Sequence, residues 1–597
     1  MSHLKFYGKQ DCPVFDRISF GRRTLLALSI AITLVTSTVT VAQEAKRSTP
    51  EKKHIADSTH WSSFCNGGNS HVSKNAALPS SWSQKEGISW DVELPGYGQS
   101  APLVIGDKIL LTAVKGPEKE TNLVVCVSRK TGAEVWRTSQ PSSLKGPSNF
   151  MYSRAAPTPV ADYDQVIAFF ESGDLLAVGI SDGKKRWERD LKVETGGLKS
   201  RHGLGSSLTQ TDDLFFINLE HDGPSALIAI QKSDGQTRWK TERPSGSSWS
   251  SPVVMRRGDE YQVVVSSAGE AAGYDSETGK EIWKVSDLVG NSVPSPLVVG
   301  DRIFLGARKP EFGSVDAAAK SNLCLEFQEG EVSPKVAWRS ERCIADYCSP
   351  VVCGEFLFLI NGSGILGCLD KNTGEEKYRQ RLGFECWATP IVRGNQLFVF
   401  GKNGKSLVIE AGGEFKKIGE NNLWDSTNPP RPVSYVEYFP ANANGSGHGA
   451  GHGHGAKHGG AKDETAEHGG HGSDQHPGGE SAGNSHGGGH GDSHGSGKKP
   501  GEAMLAGMLK ADKDGDEALT GDEIPKRLVA VMENIDLNKD GSLDKGELEK
   551  MAKSFAAKRA GSKASSRDPI VYGVAADSKG ILVRTGTRLY AIGGDSP

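Results

Sequence analysis

A tryptophan-tipped unit recurs along this chain, and its period constrains the fold more than any other feature. Each copy opens on a Ser/Thr-Pro pair or a variant of it, runs through apolar strand-like stretches separated by turns, and closes on a glycine turn followed by an aromatic residue. The openings are Ala101-Pro102, Thr158-Pro159, Ser206-Ser207, Ser251-Pro252, Ser295-Pro296, Ser349-Pro350, Thr389-Pro390 and Asp568-Pro569, which makes eight copies. At the other end, Gly132, Gly183, Gly235, Gly279 and Gly374 each stand four residues before Trp136, Trp187, Trp239, Trp283 and Tyr378. Trp338 and Ile418 fill the same place in two looser copies. From Trp90 onward the end positions lie 40 to 55 residues apart, the period of a four-stranded propeller blade. Runs such as Lys108 to Ala113 and Glu355 to Ile360 read as strands, and helical periodicity is absent from them.

The expected fold is all-β, an eight-bladed β-propeller. Its last copy, from Pro569 to Gly593, supplies three strands, while Gly87 to Leu94 around Trp90 is an end strand without a start. These fragments complete each other, so the first strand is expected to close the eighth blade and leave no sheet edge unpaired at the ends of the ring.

The spacing Ala-x-Asp-x-x-Thr-Gly-x-x-x-Trp resembles the signature of the pyrroloquinoline-quinone-type propellers, which include quinoprotein alcohol dehydrogenases and non-catalytic assembly-factor propellers of the bacterial outer membrane. Asp275-Ser276-Glu277-Thr278-Gly279 through Trp283 is the nearest copy, with Gly273 in the Ala position. Ser128, Gly179 and Gln231 stand where the signature has Asp. The resemblance covers residues 60–425 and 568–597.

Between Trp424 and Asp568 the repeat is interrupted. The chain holds 74 glycines and 16 histidines, and 20 and 10 of these fall between Ala441 and Pro500. With almost nothing apolar to bury, residues 441–500 are expected to be disordered. They serve either as a soluble linker or as a chelator of a transition metal such as zinc, nickel or copper, since flexible glycines let several imidazoles converge. Residues 501–557 resemble an EF-hand pair, a small α-helical module. In the first loop Asp512, Asp514, Asp516, the Ala518 carbonyl and Glu523 would hold calcium. In the second, Asp536, Asn538, Asp540, the Ser542 carbonyl and Glu547 would do so. Leu519 and Leu543 are expected to meet between the loops, and one helix opened by Pro525 to join them. Glu517 replaces the glycine at the sixth position of the first loop, which puts that site's affinity in doubt, whereas Gly541 is present in the second. The insertion leaves blade seven on the face where inner strands begin, so the module is expected over that opening of the channel, with structural or buffering calcium.

Residues 1–42 read as an export signal: Arg22-Arg23, an apolar run from Leu25 to Val35 and small residues ending at Thr40-Val41-Ala42. The arginine pair suits a twin-arginine signal or the basic start of a Sec signal. Left uncleaved, the same segment would be a membrane anchor, the one route to a membrane in this reading. The expected location is periplasmic or extracellular. Residues 43–59 and 558–567 are linkers, 60–440 hold blades one to seven with the closing strand, and 568–597 form blade eight. Six cysteines crowd residues 324–386. An oxidising compartment permits a disulfide there without fixing its connectivity, while Cys353 and Cys368 read as buried thiols. No Cys-x-x-Cys-His occurs, so covalent haem attachment is excluded.

With 70 Lys and Arg against 73 Asp and Glu, net charge -3, there is no basic field to recommend nucleic acid. Candidate binding residues are those just before the inner strands: Gln99, Arg154, His202, Trp249, Tyr347 and Trp387. The resemblance implies that such aromatics can stack pyrroloquinoline quinone while Arg154 or His202 holds a carboxylate or moves a proton. The same side chains can equally plug the channel. No acid of the propeller is assignable as a catalytic base. The favoured reading is an exported calcium-binding propeller that scaffolds an unidentified protein or envelope partner. The alternative is a quinone-dependent dehydrogenase of alcohols or sugars.

Overall fold

The computed structural model describes residues 60–430, 509–551 and 569–593, apart from short stretches at 147–151, 193–196, 201, 311–313, 426, 525–531 and 537. The signal, the linkers, the histidine-rich segment and the Pro525 helix start lie outside the described residues.

Eight antiparallel sheets follow one another around an axis, as the repeat count requires. Blade 1 is built from Leu103–Ile105, Lys108–Lys115, Thr121–Ser128 and Glu134–Pro141, running from the axis outward, and blades 2 to 7 repeat this order. Blade 8 takes Val571–Ala576, Ile581–Thr585 and Arg588–Ile592 from the C-terminal end and its outer strand, Ile88–Glu93, from near the N-terminal end. Val92 pairs with Leu589 and Trp90 with Ala591, so the ring is closed by strands nearly 500 residues apart in sequence. The strand interiors are apolar on both faces because each blade is sandwiched between neighbours. Phe169, Phe215, Phe216, Phe304 and Phe358 are all buried there.

Two devices explain why the repeat carries the residues it does. The first is at the outer rim. Gly132, Gly183, Gly235, Gly279 and Gly374 all have φ between 68° and 75°, a conformation glycine takes without steric cost. A side chain at any of them would strike the preceding blade's tryptophan: Trp90, Trp136, Trp187, Trp239 and Trp338 respectively lie within 2.4–2.8 Å of the Cβ position. Each of these indoles donates its Nε1–H to the carbonyl three residues before that glycine, on Arg129, Ile180, Lys232, Ser276 and Lys371. Asp275 shapes one such turn by accepting the Thr278 amide at 2.7 Å and its hydroxyl at 2.5 Å.

The second device runs around the axis. The amide of Ala101 donates to the Thr158 hydroxyl, Thr158 to Ser207, Ser207 to Ser251, Ser251 to Ser295, Ser295 to Ser349 and Ser349 to Thr389, at 2.9–3.1 Å. Each opening Ser or Thr therefore satisfies a buried amide of the preceding blade. Where a proline follows it has no N–H to leave unpaired, and after Ser207 the Leu208 amide donates to the Thr158 carbonyl instead.

Two elements depart from the expected pattern. The closing strand is not the first: His60–Trp61 adds to the inner edge of blade 1 and His71–Val72 runs parallel on the inner edge of blade 7. Between them, Ser62 accepts the Ala161 amide of blade 2, and His71 Nε2 lies 2.7 Å from the Val352 carbonyl of blade 6. Residues 60–72 therefore cross the axis at the end where inner strands finish, and their backbone covers edges the ring leaves open. In blade 5 a short helix, Val315–Lys320, capped by the Ser314 hydroxyl, joins the second and third strands.

The eight described cysteines are buried and free, so the disulfide that the crowding permits is not formed. Burial pushes the Cys353 and Cys368 thiols up to about 12, which keeps them protonated and inert. Among the described residues no helix is long and apolar enough to cross a membrane.

Candidate functional site

The six residues that precede the inner strands fall into two groups. On one side, Arg154 and Gln99 exchange hydrogen bonds: the Gln99 amide donates to the Arg154 carbonyl and the Arg154 amide to Gln99 Oε1. The Arg154 guanidinium is fully buried, 3.3 Å above the ring of Tyr97. Tyr97 then meets Tyr572 through a 2.8 Å hydroxyl pair, Tyr572 packs on Trp387 at 5.6 Å, and Trp387 packs on Tyr347 at 5.4 Å. Cations bracket this arc. Lys402 Nζ sits 4.3 Å over Trp387 and pairs with Glu385, while Arg308 lies 5.3 Å from the Tyr347 ring and 3.7 Å from Asp346. Tyr347 is 40% exposed, making it the open end of the arc.

In the second group His202 packs on Trp249 at 5.9 Å, and the Trp249 indole donates to the Gly203 carbonyl. The loop carrying Arg154 is held between the groups. Its Ser153 amide donates to the His202 carbonyl, Lys119 bridges Ser153 O and Glu171, and Glu171 accepts the Ala155 amide.

Sequence reasoning missed Tyr97 and Tyr572, which link the predicted residues. Tyr97 stands four residues ahead of the Ala101 opening, and Tyr572 is inside its inner strand, so a rule looking just before inner strands passes both. It also missed Arg584, buried at the junction of blades 8 and 1. Its guanidinium donates to Ser100 O and Oγ and to Thr112 O with no carboxylate among these acceptors, and burial lowers it to about 9.

A planar quinone does not fit this arc. The Tyr97 face is taken by Arg154, that of Trp387 by Lys402, and the rings contact one another at 5.4–6.1 Å, leaving no pair of parallel faces to sandwich a fused ring system. Among the described residues, the one cluster of three or more metal-capable side chains lies elsewhere, at Asp512, Asp514 and Asp516, whose oxygens are within 4.8 Å of one another.

That cluster lies in the first of two loops of matching conformation. Asp512 accepts the amides of Gly515 and Glu517, and Asp536 accepts those of Lys539 and Gly541. Asp516 accepts from Ala518 and Asp540 from Ser542, both at 2.8 Å. Glu523 folds back on the amides of Lys513 and Thr520, which hold its carboxyl below the usual range, and Glu547 folds back on Asn538 and Asp544. Leu519 and Leu543, both wholly buried, exchange two 3.0 Å backbone hydrogen bonds that join the loops. The first loop thus brings three carboxylates together, and the second repeats its hydrogen bonds with Asp536, Asp540 and Glu547, donor sets suited to a hard cation.

Against known proteins, the family model described as outer membrane protein assembly factor BamB matches residues 64–201 and 194–376, just over half of the chain. The chain belongs to this family. It is 25% identical over 232 residues to the outer membrane protein assembly factor BamB of Shewanella oneidensis, covering 37% of this chain and 55% of that protein. It is thus aligned with about half the length of that relative. Among solved structures it resembles BamB from Moraxella catarrhalis, at 14% identity and TM-score 0.41, over 56% of this chain and 90% of that one. A europium-containing methanol dehydrogenase matches at 10% identity and TM-score 0.42, over 62% and 86%. The matched family residues lie within the propeller and end in blade 6; the paired loops fall outside them.

Proposed function

We propose that this protein is a calcium-binding scaffold of the cell envelope, exported to the periplasm or cell surface, that engages a protein partner through the aromatic arc at the opening of its ring. The observation that carries this reading is the arc itself. Its ring faces are occupied by one another and by Arg154 and Lys402, while Tyr347 remains open to solvent. Pre-packed aromatics that run from the buried Tyr97 through the half-buried Tyr572 and Trp387 to an exposed rim have the anatomy of a binding surface. Family membership supports the same class, since its relatives are named as assembly factors.

Calcium is proposed at the paired loops, through Asp512, Asp514, Asp516, the Ala518 carbonyl and Glu523, and through Asp536, Asn538, Asp540, the Ser542 carbonyl and Glu547. The histidine-rich segment is proposed as a linker that can also chelate zinc, nickel or copper.

The partner reading is tested by placing a photocrosslinking residue at Tyr347 or, as a control, at Val135 on the exposed outer strand of blade 1. A discrete envelope adduct from position 347 and none from 135 is expected. In parallel, purified protein given pyrroloquinoline quinone and calcium is assayed for dye reduction on alcohols and aldoses. Enzyme-like turnover would replace the scaffold reading with a dehydrogenase.

A further inference from the structure

Glu517 occupies the position at which the second loop has Gly541, and its backbone adopts the same left-handed turn, φ +64° against +82°. For a residue with a Cβ that conformation is disfavoured by roughly fivefold or more relative to glycine. Two contacts hold it there. Its amide donates to Asp512 Oδ2 at 3.0 Å, so the turn directly positions the first carboxylate of the first loop. Its side chain crosses to the second loop, where both carboxylate oxygens lie 2.7 Å from Lys545 Nζ.

Lys545 begins the helical residues 545–551 that leave the second loop, one residue after Asp544, whose carboxylate caps the Glu547 amide at 2.8 Å. A continuous line of contacts therefore runs from Glu547, the last donor of the second loop, through the start of this helix to Lys545, Glu517 and Asp512. Gly541 has no side chain, so no mirror-image contact exists from the second loop to the first.

We infer that the Glu517–Lys545 ion pair is a one-way latch through which the second loop sets the cation affinity of the first. This rests on the calcium reading above and deepens it. Without Lys545 nothing retains the Glu517 side chain over the second loop, and the left-handed turn that aims Asp512 relaxes. The pair is exposed, 61% for Glu517 and 45% for Lys545, so its effect is modest, on the order of two- to fivefold in affinity.

Simple Coulomb reasoning predicts the opposite sign. Lys545 places a positive charge beside two cation sites, and removing it should tighten calcium binding. Calorimetric titration of chelator-treated full-length protein with calcium separates these alternatives. Wild type is expected to show two loop sites, one lost in Glu523→Ala and the other in Glu547→Ala. Lys545→Gln should weaken the first site about two- to fivefold and leave the second unchanged when read alone on the Glu523→Ala background. Lys545→Arg, which keeps the pair, should bind as wild type. On a Glu517→Gly background, Lys545→Gln should have no effect. Unchanged or tighter first-site binding in Lys545→Gln, or an equal effect on the Glu517→Gly background, overturns the latch while leaving both calcium sites in place. No saturable uptake at either loop in wild type overturns the calcium reading and the latch together.

Discussion

The interfaces within the chain and the seam between its ends share one device and differ in another. At both, a tryptophan rests on a glycine of the next blade: Trp187 on Gly235 inside the ring, and Trp90 of blade 8 on Gly132 of blade 1. Inside the ring an opening hydroxyl also accepts an amide of the preceding blade, as Ser251 does from Ser207. At the seam, where the opening residue is Ala101, charged side chains reach across. Arg129 of blade 1 grips Asp577 of blade 8 through two hydrogen bonds of 2.8 and 2.9 Å, with both side chains under 5% exposed, and Arg584 of blade 8 reaches Ser100 and Thr112 of blade 1. Ion pairs between blades occur inside the ring too, as with Arg243 of blade 3 and Glu270 of blade 4, but there the chain itself keeps the blades adjacent. The three C-terminal strands of blade 8 have no such continuity with blade 1, being joined to it through the pairing of Arg588–Ile592 with Ile88–Glu93, so the bidentate pair adds both cohesion and register.

The largest effect is therefore expected at the seam. Asp577→Ala leaves the Arg129 guanidinium buried without its carboxylate and should cost about 3–5 kcal/mol, read as the shift in a denaturant unfolding curve. A loss near zero would make the seam no different from a surface contact. Trp239→Ala, inside the ring, removes a buried indole and its hydrogen bond to Ser276 O and should cost about 3 kcal/mol, at the lower end of such truncations because the rim is nearly open to water. The distinction between the two is in what opens: limited proteolysis should release the termini in the first variant and not in the second. Ser251→Ala deprives the buried Ser207 amide of its acceptor and should cost about 1–3 kcal/mol. Equal stability of this variant would show that the axial hydroxyls contribute nothing.

The smallest effect is a pH dependence located away from the seam. His221 is wholly buried in blade 3, accepts the amides of Gly223 and Lys199 at Nδ1, and has its pKa lowered by burial. Its folded-state value lies below the unfolded one near 6.5. The unfolded chain therefore takes up a proton first as pH falls, and stability present above pH ~6.5 is lost on acidification through the folded value. His71, where burial also lowers the pKa, adds in the same direction. His221→Gln should flatten this slope in melts recorded between about pH 7 and 5. An unchanged slope would assign the acid sensitivity elsewhere.

The ring was legible in the sequence because its determinants are local and repeated. A glycine that must accept both a positive φ and an indole, four residues before the next terminal aromatic residue, leaves a mark at five of the eight copies. The closing strand was legible for the same reason, since Trp90 carries the tip of a repeat without its start. The axial crossing by residues 60–72 was not, because strands of two residues, His60–Trp61 and His71–Val72, have no periodicity to read. At the ring opening, Tyr347 and Trp387 were found by position, but Tyr97 and Tyr572, which join them to Arg154, obey no fixed offset from the repeat. Glu517 shows the converse. In sequence it reads as a defect in a loop that wants glycine, and only its contact with Lys545, 28 residues on, gives it a part to play.

Hydrogen exchange of the full-length Trp90→Ala variant, compared with wild type, tests ring closure most directly. If Ile88–Glu93 is the outer strand of blade 8, amides of 88–93 and of 588–592 should lose protection together, while those of Glu260–Ser267 in blade 4 exchange as before. Faster exchange confined to 88–93, with 588–592 as protected as in wild type, would contradict closure by these two strands.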